Sequence, residues 1–179
     1  MQNDIARILL TEEAIQDRVK ALGEAITTQY AGKELLVVGI LKGSNVFMSD
    51  LIRQIQIPLK IDFMIVSSYG NATESTGVVK IMKDIEQSIS DKHVLIVEDI
   101  IDSGLTLKYL TEMLNTRKPA SIKLCTLLDK PARRKERVDV DYVGFEMPDE
   151  FIVGYGIDYS EHYRNLPYVG VLKPEVYEK

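Results

Sequence analysis

Apolar residues recur in two patterns along the 179-residue chain, at spacings of three and four and in short unbroken runs. Ile15, Val19, Leu22, Ile26 and Tyr30 share one helical face, which predicts an amphipathic helix over residues 11–30. Thr11 suits its N-cap and Gly32 its stop. Leu35 to Ile40 is almost wholly apolar, as expected of a central parallel strand covered on both faces. The loop Leu41-Lys42-Gly43-Ser44-Asn45 then leads to an amphipathic helix around Phe47 to Ile55. Leu59 to Val66 and Val78 to Met82 read as two arms of a hairpin around the small, polar, glycine-punctuated stretch 67–77. Asp84 to Lys92 reads as a polar linker, with His93 facing solvent at the start of the next strand. Ser121 to Leu128, Asp139 to Phe145, Phe151 to Tyr155 and Tyr168 to Leu172 are further strands, the last expected to close the sheet. Pro119 is expected to end the helix before them, and the polar tail Lys173 to Lys179 to fray. The expected fold is α/β, in one domain over 1–179.

The densest chemistry lies in the run from Val94 to Thr106. Four apolar residues, Val94-Leu95-Ile96-Val97, predict a buried strand, and Glu98-Asp99-Ile100-Ile101-Asp102 stands at its end. Ser103-Gly104-Leu105-Thr106 follows, and Leu107, Leu110, Met113 and Leu114 then keep helical spacing. A strand feeding a turn and a helix N-terminus is the usual ligand position of an open α/β sheet, and the exposed N–H groups there attract phosphate. Three carboxylates in the same loop oppose that. A carboxylate about 4 Å from a phosphate costs on the order of 4 kcal/mol at an effective dielectric of about 20. A helix dipole returns only about 0.3–1 kcal/mol. The acids must face sugar hydroxyls, a Mg²⁺ ion or a proton in transit. A ligand with a phosphate, a diol and a metal-bound polyphosphate uses every group, which points to a nucleotide-sugar ligand. Neither G-x-x-x-x-G-K-[ST] nor G-x-G-x-x-G occurs, so P-loop and dinucleotide readings fail. Taken singly, Asp102 reads better as a helix cap, and it is the whole thirteen-residue arrangement that favours a site.

Composition narrows the class. Net charge is −5 without a long basic block, which argues against a nucleic-acid partner. The cluster Lys130, Arg133, Arg134, Lys135 and Arg137, interrupted by Pro131 and Glu136, reads as solvated surface, with Lys130 the exception. Apolar runs fall short of a membrane span, and MQNDIAR lacks a signal peptide's apolar core, so the expectation is a cytoplasmic protein without a membrane partner. The single cysteine, Cys125, has apolar neighbours and is expected to be buried in a strand.

The Val-Glu-Asp-Ile-Ile-Asp-Ser-Gly wording of residues 97–104 resembles the phosphoribosyl-pyrophosphate-binding motif of type I phosphoribosyltransferases, the hypoxanthine-guanine branch in particular. The likeness runs from Leu41-Lys42-Gly43 to Arg164. It implies a hood formed by the chain ends, a lid over about 67–77 with Ser68 and Tyr69 in the site, and a homodimer or homotetramer. It implies Mg²⁺ as cofactor, with Glu98, Asp99 and Asp158 around it. Substrates would be phosphoribosyl pyrophosphate and 6-oxopurine bases. Lys42 and Gly43 would hold pyrophosphate behind a cis Leu41–Lys42 peptide, with Arg164 contacting it too. Asp102, Ser103, Gly104, Leu105 and Thr106 would grip the 5′-phosphate, with Ile101 beside them in the substrate set. Asp102 would act as general base near the purine N7. Lys130, a pure donor, would read the O6 acceptor. Phe151, which composition alone assigns to the core, would stack on the purine, and Ile152 would offer backbone groups to its edge. A regulator retaining this fold to bind nucleic acid, or a pyrimidine or adenine transferase, are the rival readings.

Overall fold

The computed structural model describes residues 1–68 and 79–178. In chain order the strands and helices are β1 (Ile5–Leu10), α1 (Glu12–Gln29), β2 (Leu35–Leu41), α2 (Asn45–Gln54), β3 (Leu59–Ser68), β4 (Val79–Lys83), β5 (His93–Ile101), α3 (Leu105–Asn115), β6 (Ser121–Asp129), β7 (Tyr142–Glu146), β8 (Ile152–Val153), β9 (Val169–Leu172) and α4 (Pro174–Tyr177). Six strands form the central sheet in the order β4-β3-β2-β5-β6-β7. All its pairings are parallel except β3–β4.

The two inner strands show why their sequences lack alternation. Leu35, Val37, Leu95 and Val97 face a core shared with α1 and α2, whereas Leu36, Val38, Val94 and Ile96 face one shared with α3. The runs Leu35–Val38 and Val94–Val97 are therefore apolar at every position. Thr11 caps α1 as its sequence suggests, its Oγ1 accepting from the Ala14 N–H at 3.2 Å. Helix α3 ends at Asn115, well before Pro119, and the chain turns through Lys118 at φ +56°.

Strand order reverses around β2. The chain leaves β2 through α2 to reach β3 on one side, and β5 lies on the other. The carboxyl ends of β2 and β5 thus diverge into separate loops, opening a crevice between them.

Three expectations need correction. Tyr168 to Leu172 does not close the central sheet: β9 is the middle strand of a separate antiparallel sheet, β1-β9-β8. This small sheet is the hood, and it unites the first strand with the last. The tail also does not simply fray, because Pro174–Tyr177 forms α4 and packs Val176 and Tyr177 against the hood's core. His93 opens β5, but it is half-buried with Nδ1 2.7 Å from the Ser121 hydroxyl rather than turned to solvent. Among the described residues no helix is long and apolar enough to cross a membrane.

Candidate active site

The crevice between β2 and β5 is a cleft of about 270 Å³. Leu41 and Gly43 line one side, and Glu98, Asp99, Ile101, Asp102, Ser103, Gly104 and Thr106 the other. Strand β5 stops at Ile101, and Gly104 adopts φ +80° before α3 begins. A side chain there would suffer twice, from the positive φ and from the Glu136 carbonyl that a Cβ would meet at 2.7 Å. The turn is held from behind. The Ser103 carbonyl accepts from the N–H groups of Lys135 and Glu136 at 2.9 and 3.0 Å, and Arg134 Nε donates to the Asp102 carbonyl at 3.2 Å. Arg134 also pairs with Asp129. This basic residue faces inward and braces the turn, which corrects its reading as solvated surface; Arg133 and Arg137 instead meet Asp149 and Asp139 at the surface.

The acids of the turn are strongly perturbed. Burial pushes the Glu98 carboxyl well above its ordinary range, and the adjacent Asp99 charge adds to that. Asp99 is also raised by burial, against the opposing pull of the Ile100 N–H and of Arg164. Two neighbouring carboxyls that resist ionisation together are suited to a site that a cation completes. Asp102 Oδ1 is buried without a hydrogen-bond partner among the described residues. An unpaired acceptor in a cleft is a group awaiting a donor.

The facing loop carries a cis Leu41–Lys42 peptide. Lys42 is exposed and lies 3.1 Å from Glu161. Ser44 is buried and donates to the Ile40 carbonyl at 2.7 Å, so the loop folds back on β2. Arg164 donates through Nη1 to the Gly156 carbonyl and pairs through Nη2 with Asp158, both at 2.8 Å. Its Nε is buried without a hydrogen-bond partner among the described residues. The Tyr155 hydroxyl donates to Asp50 at 2.5 Å, tying this turn to α2. Glu161 and Gly156, which nothing in local composition singled out, therefore belong to the neighbourhood of the loop. Among the described residues no three acidic, histidine or cysteine side chains converge to hold a metal ion by themselves.

A second cleft of about 170 Å³ adjoins the first and is lined by Lys130, Phe151, Ile152 and Asp158. Asp102 and Ile100 line both. Lys130 is only 5% exposed, and its Nζ donates to the Glu150 carbonyl at 2.6 Å. Burial lowers its ammonium pKa, with Asp102 pulling the other way. Phe151 is 38% exposed and so is not a core residue. Leu105 sits at the first position of α3 and does not line either cleft. Tyr69, and the lid expected over about 67–77 apart from its first residues, lie outside the described residues, as does the side chain of Ser68.

A mainly parallel sheet with an acid-rich, glycine-broken turn at its switch point, beside a separate small antiparallel sheet, defines an α/β protein with a ligand cleft at its strand ends. Residues 6–160 match the family model for the phosphoribosyl transferase domain, and the chain belongs to that family. It is similar to the hypoxanthine-guanine phosphoribosyltransferase of Bacillus subtilis, at 57% identity over 99% of both chains. It is equally similar to a solved hypoxanthine phosphoribosyltransferase from Staphylococcus aureus, with 59% identity, a TM-score of 0.98, and coverage of 100% of this chain and 97% of that one. It also matches the bifunctional protein TilS/HprT of Listeria monocytogenes at 54% identity over its full length, spanning 28% of that protein.

Proposed function

We propose that the chain moves 5-phosphoribose from phosphoribosyl pyrophosphate to N9 of hypoxanthine or guanine, giving IMP or GMP and pyrophosphate. The observation that carries this is the position of Asp102, whose side chain lies where the anion-binding cleft meets the Lys130–Phe151 cleft. A group there touches both a sugar phosphate in the first cleft and a base in the second.

The N–H groups of the Asp102-Ser103-Gly104-Leu105-Thr106 turn and the α3 N-terminus hold the 5′-phosphate, with Ile101 anchoring the turn in the core. Glu98 and Asp99 hold the ribose hydroxyls, and their charge favours the cationic sugar centre that develops as the C1–O bond loosens. Lys42, Gly43 and Arg164 receive the departing pyrophosphate, where the planar guanidinium suits a phosphate edge. Lys130 donates to O6 of the base, Phe151 stacks on its ring and Ile152 meets its edge. Asp102 accepts the proton near N7 as general base. Ser68 and Tyr69 are assigned to the site by the family resemblance.

The acids fit Mg²⁺, because it binds through one or two carboxylates together with substrate phosphates and needs no all-protein cage. Glu98, Asp99 and Asp158 would hold it. When bound, it supplies charge neutralisation for the pyrophosphate. The whole catalytic unit is taken as 1–179, in the cytoplasm, assembled as a homodimer or homotetramer. Support for assembly comes from Ile61 and Ile65 on β3 and Met82 on β4, which are unusually exposed for large apolar side chains.

The test is pyrophosphate release by purified protein given phosphoribosyl pyrophosphate, Mg²⁺ and each purine in turn. Turnover with hypoxanthine and guanine but not adenine is expected, and no release with any 6-oxopurine overturns the proposal.

A further inference from the structure

The C-terminal helix reaches back to the residue that faces the base. The rings of Phe151 and Tyr177 are stacked, with centroids 4.5 Å apart and planes 16° from parallel. Tyr159 meets Phe151 edge-on, with centroids 5.4 Å apart and an interplanar angle of 86°. Phe151 lines the second cleft, whereas neither Tyr159 nor Tyr177 does. Tyr177 therefore stacks on Phe151, Tyr159 stands perpendicular to it, and the Phe151 ring still borders the cleft. The backbone is tied as well, because the N–H of Leu172, the last residue of β9, donates to the Phe151 carbonyl at 2.8 Å. Helix α4 is itself fixed by Val176 in the hood's core.

We infer that Tyr177 is a positioning residue for the base: it backs the Phe151 ring so that this ring presents one fixed face to the purine. The inference rests on the proposed stacking of Phe151 on the base. An isolated, half-exposed phenyl ring turns freely about its side-chain torsions, and a base landing on it must arrest that motion. A second ring stacked behind it removes much of that freedom beforehand, so the base binds a surface already in place. Aromatic stacking also favours a defined offset between rings, which sets the plane the purine meets.

Steady-state kinetics of Tyr177→Leu, Tyr177→Phe and Phe151→Ala test it. Leucine keeps apolar bulk against the hood but offers no ring, and phenylalanine keeps the ring. Tyr177→Leu is expected to raise KM for hypoxanthine and guanine roughly three- to tenfold, the scale of one lost aromatic pair. KM for phosphoribosyl pyrophosphate and kcat are expected to stay within twofold, with Tyr177→Phe restoring the base KM. An unchanged base KM, or equal rises for both substrates, overturns the role of Tyr177. If Phe151→Ala itself leaves the base KM unchanged, the stacking reading fails instead. Should Tyr177→Leu not fold, Tyr177→Trp gives an independent readout, because the chain has no other tryptophan. Its emission is expected to change on saturation with IMP, and constant emission overturns the inference.

Discussion

Gly156 rests against the carbonyl oxygen of Gly43, so closely that a Cβ on residue 156 would collide with it. Gly156 also holds φ +100°, which side chains rarely adopt. The contact joins the loop assigned to pyrophosphate to the segment that carries Phe151 and Asp158. Gly156→Ala is therefore expected to cost about 1–3 kcal/mol of stability. It should also raise KM for phosphoribosyl pyrophosphate, because the Lys42–Gly43 loop must shift. Urea unfolding and steady-state kinetics measure the two effects, and a variant with wild-type values for both refutes the coupling.

Asp102→Asn keeps the size of the side chain and removes its basicity. Turnover is expected to fall roughly 10²- to 10⁴-fold, the usual worth of a general base, while phosphoribosyl pyrophosphate binding, measured by calorimetry, stays within a few-fold. Equal losses in both would make Asp102 a binding residue.

Lys130 is buried with its ammonium beside the second cleft. Lys130→Ala removes the charge-assisted hydrogen bond proposed to O6, so KM for hypoxanthine and guanine should rise roughly 10- to 100-fold. Adenine, which offers an amino group at that position, should gain relative to them. Kinetics with the three bases decide it; unchanged values with the 6-oxopurines remove the assignment.

Asp62 predicts an acid limb of stability remote from the site. Burial alone would raise its carboxyl, but the N–H groups of Glu86 and Phe63, at 2.8 and 2.7 Å, and Lys83, at 3.1 Å, outweigh that and hold it below its ordinary value. A depressed acid contributes its full stability above the unfolded-state value and loses it as pH falls through the folded one. Denaturant midpoints measured down through the acid range should therefore drop for the native chain, and Asp62→Asn should flatten that drop. Parallel curves for the two proteins would exclude Asp62 as a source.

Local pattern carried the central sheet because its strands are determined by burial on both faces. An unbroken run such as Val94 to Val97 has few other places to lie, and Thr11 with the face from Ile15 to Tyr30 defines α1 independently of any partner. What local pattern missed is held by distant contacts. Strand β1 exists because residues Ile5 to Leu10 find β9, more than 150 positions away. Helix α4 is four residues of weak propensity, ordered by Val176 and Tyr177 against the hood. Arg134 lay in a charge cluster that resembles solvated surface, and only the fold reveals that it braces the Asp102 turn. The acids of that turn were legible because three carboxylates beside a phosphate cradle are costly without a purpose. Phe151 was not legible from composition, since a phenylalanine is by default a core residue.

The hood joins the first strand of the chain to its last through β1–β9 pairing. All six strands of the large sheet lie between Leu35 and Glu146, so they pair without help from β1, β8 or β9. A cut between β7 and β8 would therefore leave the large sheet on one fragment and divide the hood between two.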